Sequence, residues 1–332
     1  MYSAAILGYD GCYGAGLSGF ADMLQVANAH VRKQSRADAP FFSWRFVSMD
    51  GAAVTASNGL SFATQRVASH ERFDLVFIPS AHYAGKTSFV NMLRAQRRAY
   101  PWLVDQWTGG SVLVANCTGT FLLAETGLLD GREATTTWWL EQQFRERYPE
   151  VDLQLEPVIT EADRLICAGA SASYLMQAVH VIERLAGPVV ASRCAKTMLI
   201  DVSQTKQTPY LPLIADKEHG DSLVHRAQHW LLKHMVEEVR IADLAAGLSV
   251  SERTLVRRFQ TALELSPLAY LQNLRLEAAR GLLETGDLSV ASIAAQVGYA
   301  DTSSFARLFR HRMGLTPGAY RNRFRTASAT RR

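Results

Sequence analysis

The chain has 332 residues, 48% of them hydrophobic and 20% charged, which is the length expected of two domains and enough apolar content for two cores. Its net charge of +4 is unevenly spread: Ser222 to Arg332 carries 16 Lys/Arg against 9 Asp/Glu, whereas the residues before Ser222 carry 19 against 22. A polyanionic partner is therefore expected of the C-terminal third alone, and the first two thirds are not built for one.

The N-terminal MYSAAILGYDG has no basic leader and does not read as a signal peptide. The longest charge-free stretch, Gln106 to Ala124, is interrupted by glycines, Asn116 and threonines, so no membrane span is expected. Cys12, Cys117, Cys167 and Cys194 are widely separated and form no CxxC pair, which argues against a disulfide framework or a metal centre and for a reducing cytoplasm. No cofactor is expected.

Up to about residue 200, short apolar runs alternate with helical patterns. AAILGY precedes a helix from Phe20 to Arg32; WRFVSM and DLVFIPS follow, then a helix from Ser88 to Gln106. SVLVANC leads into a helix from Thr118 to Glu125, and RLICAG leads into SASYLMQAVHVIERLAG. This alternation predicts an α/β domain over 1–202, a doubly wound, mostly parallel sheet covered on both faces. The polar stretch Ser203 to Lys217, SQTKQTPYLPLIADK, has two prolines and no helical period and reads as a linker.

Beyond it, over 218–326, a separate all-α domain is predicted from an internal repeat. Leu244 to Arg275 aligns with Ile293 to Arg325: Leu255, Arg257 and Phe259 meet Phe305, Arg307 and Phe309, and Pro267 and Tyr270 meet Pro317 and Tyr320. Each copy reads as a short helix (Ile241 to Gly247; Val290 to Val297), a tight turn, and a second helix opened by Ser251 or Asp301, residues whose oxygens accept free N–H groups at a helix start. This is a helix-turn-helix twice over, whose second helix enters the major groove. Leu255, Phe259 and Leu263 form the buried stripe of the first; Phe305, Leu308 and Phe309 that of the second. Arg253, Arg257 and Arg258, and Thr302, Ser303, Ala306, Arg307 and Arg310, are left to meet double-stranded DNA, where arginine can pair with guanine and Thr or Ala can touch a thymine methyl.

These residues, with SIAAQVGYADTSSFARLFRHRMGLTPGAYR, resemble the AraC/XylS-type regulators over positions 224 to 325. The resemblance implies a long helix, Ser266 to Glu284, joining the two units, and places Arg253, Arg257, Thr302, Ser303 and Arg307 where the family makes base contacts. Val256 and Ala306 stand where longer polar residues are often found.

In VLVANCTGTFLLAETGLLDGREATTTWW, Val112 to Trp139, a strand runs into Cys117 and out into a helix, and Gly119 permits a tight elbow. The free N–H groups of a helix start would favour a thiolate there, but a nucleophile also needs a base or a cation. The elbow and GLLDGREATT resemble class I glutamine amidotransferase-like domains of the PfpI type, over roughly 3 to 200. Enzymatic members carry a histidine in a stretch like ATTHW; this chain has Thr137 at that position. His82, in the loop PSAHYAG, and Asp22 are the only candidates for a base and its carboxylate partner. Cys117 is then a packed residue, a pocket-lining residue or a nucleophile. The missing histidine weighs against the last, the elbow against the first. The pocket reading takes Ser80, His82, Asn116, Cys117, Thr118, Thr137 and Trp138 as lining a ligand site at the sheet's C-terminal edge.

Together the halves resemble the GlxA-like branch of the AraC/XylS regulators. The resemblance implies a cytoplasmic, non-enzymatic transcriptional activator, a homodimer, responsive to a small effector such as an amino acid or quaternary amine. Two alternatives stand beside it: a cysteine-dependent amidase or glyoxalase-type enzyme with an accessory DNA-binding domain, and a constitutive DNA-binding protein whose first domain only dimerises.

Overall fold

The computed structural model describes residues 1–35, 40–68, 70–203, 205–213 and 219–325, and the chain divides into two compact units, Met1–Gln207 and Thr208–Arg332. In the first, β1 (Tyr2–Leu7) leads through α1 (Gly14–Ser35) to β2 (Phe42–Ser48). The hairpin of β3 (Val54–Thr55) and β4 (Ser61–Phe62) precedes β5 (Gln65–Arg66) and β6 (Leu75–Ile78). Next come α2 (Lys86–Ala95), α3 (Ala99–Thr108), β7 (Val112–Asn116) and α4 (Gly119–Ala124). β8 (Glu133–Ala134), α5 (Glu141–Arg147) and β9 (Asp152–Leu153) form a small excursion. β10 (Ile159–Ala162), β11 (Leu165–Ala168), α6 (Tyr174–Ala186) and α7 (Pro188–Thr197) complete the unit.

Seven strands form one sheet in the order β10-β11-β7-β6-β1-β2-β5, parallel throughout except for β10 against β11. β6 and β7 are buried along their whole length, which is why LVFI and VLVAN show no polar alternation: helices cover both faces. From β1 the sheet grows one way through β2 and the other way through β6, β7 and β11. The loops at the strands' carboxyl ends converge beside that switch point.

The helix expected from Ser88 to Gln106 is two helices, broken between Ala95 and Ala99. Pro101 is the cause: within a continuous helix its ring would meet the carbonyl of residue 97, so the chain restarts and places the proline in the first turn of α3. Of the stretch expected as a linker, residues 205–207 pack on the first unit, where the Val158 N–H donates to Thr205 O at 2.9 Å and Gln207 is buried. Residues 208–213 pack on the second, where Asn273 Nδ2 donates to Leu213 O at 2.7 Å; residues 204 and 214–217 lie outside the described ones. No helix among the described residues is long and apolar enough to cross a membrane.

The second unit contains α8 (Ser222–Lys233), α9 (Ile241–Gly247), α10 (Glu252–Leu263), α11 (Pro267–Thr285), α12 (Val290–Gln296), α13 (Thr302–Met313) and α14 (Pro317–Phe324). It has two cores. Leu223, Val224 and Leu231 of α8 join Leu244, Leu255, Phe259 and Leu263 in one; Ile293, Phe305, Phe309, Met313 and Tyr320 form the other. α11 serves both, giving Tyr270, Leu271 and Leu274 to the first and Leu276, Ala279 and Leu283 to the second. In the second copy Met313, rather than Leu308, completes the buried stripe, while Leu308 is half-buried. The spacing Phe305, Phe309, Met313 then repeats that of Leu255, Phe259, Leu263.

Candidate functional site

Both helix-turn-helix units are closed by side-chain caps. Ser251 Oγ accepts from the Thr254 N–H at 3.2 Å, and the Asp301 carboxylate accepts from the Ser303 and Ser304 N–H groups at 3.0 and 2.8 Å. Ser266 and Thr316 cap α11 and α14, each ahead of a proline that needs no N–H partner there. These caps fix where the second helices begin and which side chains lie off their buried stripes.

On α10, Arg253 and Arg257 are exposed; on α13, Ser303, Arg307 and Arg310 are exposed, and Thr302 and Ala306 are half-buried. Arg258 has a different partner. Its Nε and Nη2 donate to the two carboxylate oxygens of Asp221, at 2.6 and 2.7 Å, and Asp221 also caps α8. This fork-to-fork pair keeps the Asp221 carboxyl below the usual carboxylate range and ties the Arg258 guanidinium to the start of α8. Asp221 was not singled out in the sequence. The signal it carries is an aspartate one residue ahead of an amphipathic run.

The elbow of the first unit has the strained geometry expected of it: Cys117 sits at φ 53°, in the left-handed region. Its N–H donates to Ala168 O at 2.7 Å, and its carbonyl accepts from the Thr136 hydroxyl at 2.8 Å and the Thr120 N–H at 3.1 Å. Gly119 is required by close approach, since a Cβ there would stand 2.6 Å from Pro79 O and 2.7 Å from Ile78 O. Thr118 ties the elbow to the loop after β6, its hydroxyl accepting from the Ala81 N–H at 2.7 Å.

The thiol is only 1% exposed, and burial pushes its pKa up; hydrogen bonding from Ser171, whose Oγ lies 3.4 Å from Sγ, and from Thr118 and Thr137 pulls weakly the other way. Burial is the largest influence on it, and the hydrogen bonds that offset burial come from neutral groups. His82 is exposed, held at its backbone by Gly11 O and edge-on to the Tyr13 ring, and Asp22 is exposed on α1. Ser80, Asn116, Thr118 and Thr137 are buried together with Cys117, whereas Trp138 is half-buried against Trp139. Among the described residues one buried oxygen in this group, Asn116 Oδ1, has no hydrogen-bond partner, and the Thr137 hydroxyl has none but the Cys117 thiol. Ser171 and Thr136 were not foreseen. Both follow strands or precede turns at the same sheet edge, where convergence of loops is the readable signal.

A family model described as DJ-1/PfpI family matches residues 27–183, and one described as helix-turn-helix domain matches 244–323. The chain is 29% identical over 306 residues to the HTH-type transcriptional regulator CdhR of Pseudomonas aeruginosa, covering 91% of this chain and 88% of that protein. It is 26% identical over 278 residues to the HTH-type transcriptional regulator GbdR of the same species, covering 83% and 74%. The chain thus combines a DJ-1/PfpI domain with an AraC-type helix-turn-helix domain, and its relatives CdhR and GbdR are transcriptional regulators. The first unit also superposes on Drosophila melanogaster DJ-1beta with a TM-score of 0.50 at 20% identity, covering 60% of this chain and 98% of that one, a likeness of fold. α9 to α14 lie in or overlap the stretch matched by the helix-turn-helix model, and the elbow at Cys117 lies inside the stretch matched by the DJ-1/PfpI model.

Proposed function

We propose that the regulator is a promoter-binding activator, dimeric through its first unit, whose DNA occupancy is set by a small nitrogenous effector. The observation that carries this reading is the pair of capped helices presenting Arg253 and Arg257, and Ser303, Arg307 and Arg310, to solvent one structural repeat apart. Two such helices on one polypeptide read neighbouring stretches of major groove, and a dimer doubles the site and raises affinity through effective concentration.

The first unit serves as sensor and not as enzyme in this reading. A thiol kept protonated by burial, with threonine in place of the base, does not attack an amide or aldehyde at neutral pH. The unpartnered Asn116 Oδ1, with the Thr137 hydroxyl beside Cys117 and Trp138, supports effector contacts at the elbow, with an amino acid or quaternary amine as the ligand class. The test is a gel-shift titration on DNA selected by the full chain from a random pool. Arg257→Ala and Arg307→Ala should each weaken binding by a factor corresponding to about 1–3 kcal/mol and relax the preference at separate base positions. Unchanged affinity and preference in both would refute the recognition-helix register. A hydrolase activity lost in Cys117→Ala would return the enzyme reading.

A further inference from the structure

A cavity of about 340 Å3 opens on the first unit between the sheet's edge strand β10 and helix α6, and none of the elbow residues lines it. Met176, Val179, His180 and Glu183 stand at positions i, i+3, i+4 and i+7 of α6 and so form one face of that helix toward the cavity. Ile159 and Glu161, alternate residues of β10, supply the opposite wall. Its volume falls in the range of sites for small ligands, about 300–1,000 Å3.

The two carboxylates differ in what they already hold. Glu161 is compensated, with His180 Nε2 2.6 Å from one oxygen and Arg184 paired to the other. Glu183 is exposed, and among the described residues its carboxylate has no hydrogen-bond or ion-pair partner. Apolar surface from Ile159, Met176, Val179 and Val202 with one uncompensated carboxylate at the rim is complementary to an ammonium group carrying alkyl substituents. An anion would meet Glu183, and a neutral molecule would leave its charge unused.

We propose that this cavity binds a small organic cation, an ammonium with an apolar body. Val202 and Thr205, which close the cavity, belong to the segment by which the chain leaves the first unit just before Gln207, and Thr205 O holds the N–H of Val158 at 2.9 Å. An occupant therefore packs against that segment and favours whichever arrangement keeps it docked. The binding stands independently of the elbow; only its consequence for DNA rests on the regulator reading.

The experiment uses the full chain in phosphate buffer and ligand-observed NMR with n-butylammonium, n-butanol and n-butyrate, three probes with one tail and different charge. The cation should bind about two- to fivefold more tightly than the alcohol, the upper part of the range for one solvent-exposed ion pair. Glu183→Gln should abolish that preference without moving the melting temperature, and Val202→Trp, which fills the cavity, should abolish butylammonium binding. Equal binding of cation and alcohol, no binding of any probe, or a preference that survives Glu183→Gln and disappears in Thr137→Val would overturn the proposal. Titration of the selected DNA in the same samples separates the two readings. Amine binding without DNA binding would sink the regulator reading alone, and DNA binding without amine binding the cavity alone.

Discussion

Each helix-turn-helix unit bends through the left-handed region at two equivalent points. Ser249 (φ 57°) corresponds to Gly298 (φ 87°), and Glu264 (φ 60°), which ends α10, corresponds to Gly314 (φ 69°), which ends α13. At both points the second copy has the glycine and the first has a side chain. An L-residue in this region costs about 1–2 kcal/mol, and glycine gives back about 0.4–1 kcal/mol of that as extra freedom of the unfolded chain. Ser249→Gly should therefore stabilise the second unit by about 0.5–1 kcal/mol, an upward shift of about 2–6 °C for a domain near a hundred residues. Gly314→Ala, where a Cβ meets nothing nearer than the Thr208 Cβ at 4.0 Å, should cost a similar amount. Gly298→Ala should cost about 2–3 kcal/mol, because its Cβ would also stand 2.9 Å from Met235 O and 3.0 Å from Val236 Cα. Scanning calorimetry of the full chain identifies the relevant transition as the one that Gly298→Ala lowers. A Ser249→Gly variant that melts lower than the parent in that transition would show that the two turns are not equivalent.

Cys117 should resist alkylation by iodoacetamide in the native chain at pH 8, modified at least about a hundredfold more slowly than after denaturation because burial holds its pKa up; rapid labelling, read by mass spectrometry, would show an exposed or activated thiol. Asp221→Asn keeps a helix cap but loses the charged pair with Arg258. Since the folded pKa of Asp221 is depressed below its ordinary 3.8, the pair stabilises above that pH, and the melting difference between parent and variant should hold near neutrality and close as pH falls below about 4. Arg258→Ala should lower the melting temperature of the second unit while leaving base preference intact, the reverse of Arg257→Ala; a changed preference would put Arg258 in the groove. Gly119→Ala should cost about 2–3 kcal/mol by driving a Cβ onto the Pro79 and Ile78 carbonyls, and retention of the parent melting temperature would contradict the elbow geometry.

The parallel sheet and the tandem units were legible because each rests on a local pattern: uninterrupted apolar runs for β6 and β7, a repeated stripe and cap for α10 and α13. What escaped depends on contacts between distant residues. Arg258 looks like Arg257 on a helical projection, and only the pairing with Asp221, 37 positions away, tells them apart. The same holds for β10, whose antiparallel pairing with β11 follows a turn at Asp163 and Arg164, both at positive φ although neither is glycine. Leu308 was assigned to the core by hydrophobicity, yet the stripe set by Phe305 and Phe309 continues to Met313. The break before α3 could have been read from Pro101 alone.

At the elbow, strain, burial and the missing base belong together. A non-glycine residue at φ 53° persists because its neighbours over-determine it, here through Ala168 O, the Thr136 hydroxyl and the Thr120 N–H. In a catalytic elbow the same strain would present a thiolate to a charged partner. Here Thr137 adds only a neutral hydroxyl, and its neighbour Thr135 donates to Pro157 O at 3.2 Å while its own carbonyl accepts from Thr120. The threonine run thus stitches the segment of the absent histidine onto the elbow. A histidine at position 137 would be buried with its charge uncompensated, because Asp22 is exposed on α1, so its imidazole would remain neutral and the thiol beside it protonated. An activated nucleophile at this elbow would require a carboxylate, an imidazole and access to solvent together, so no single substitution there is expected to create one.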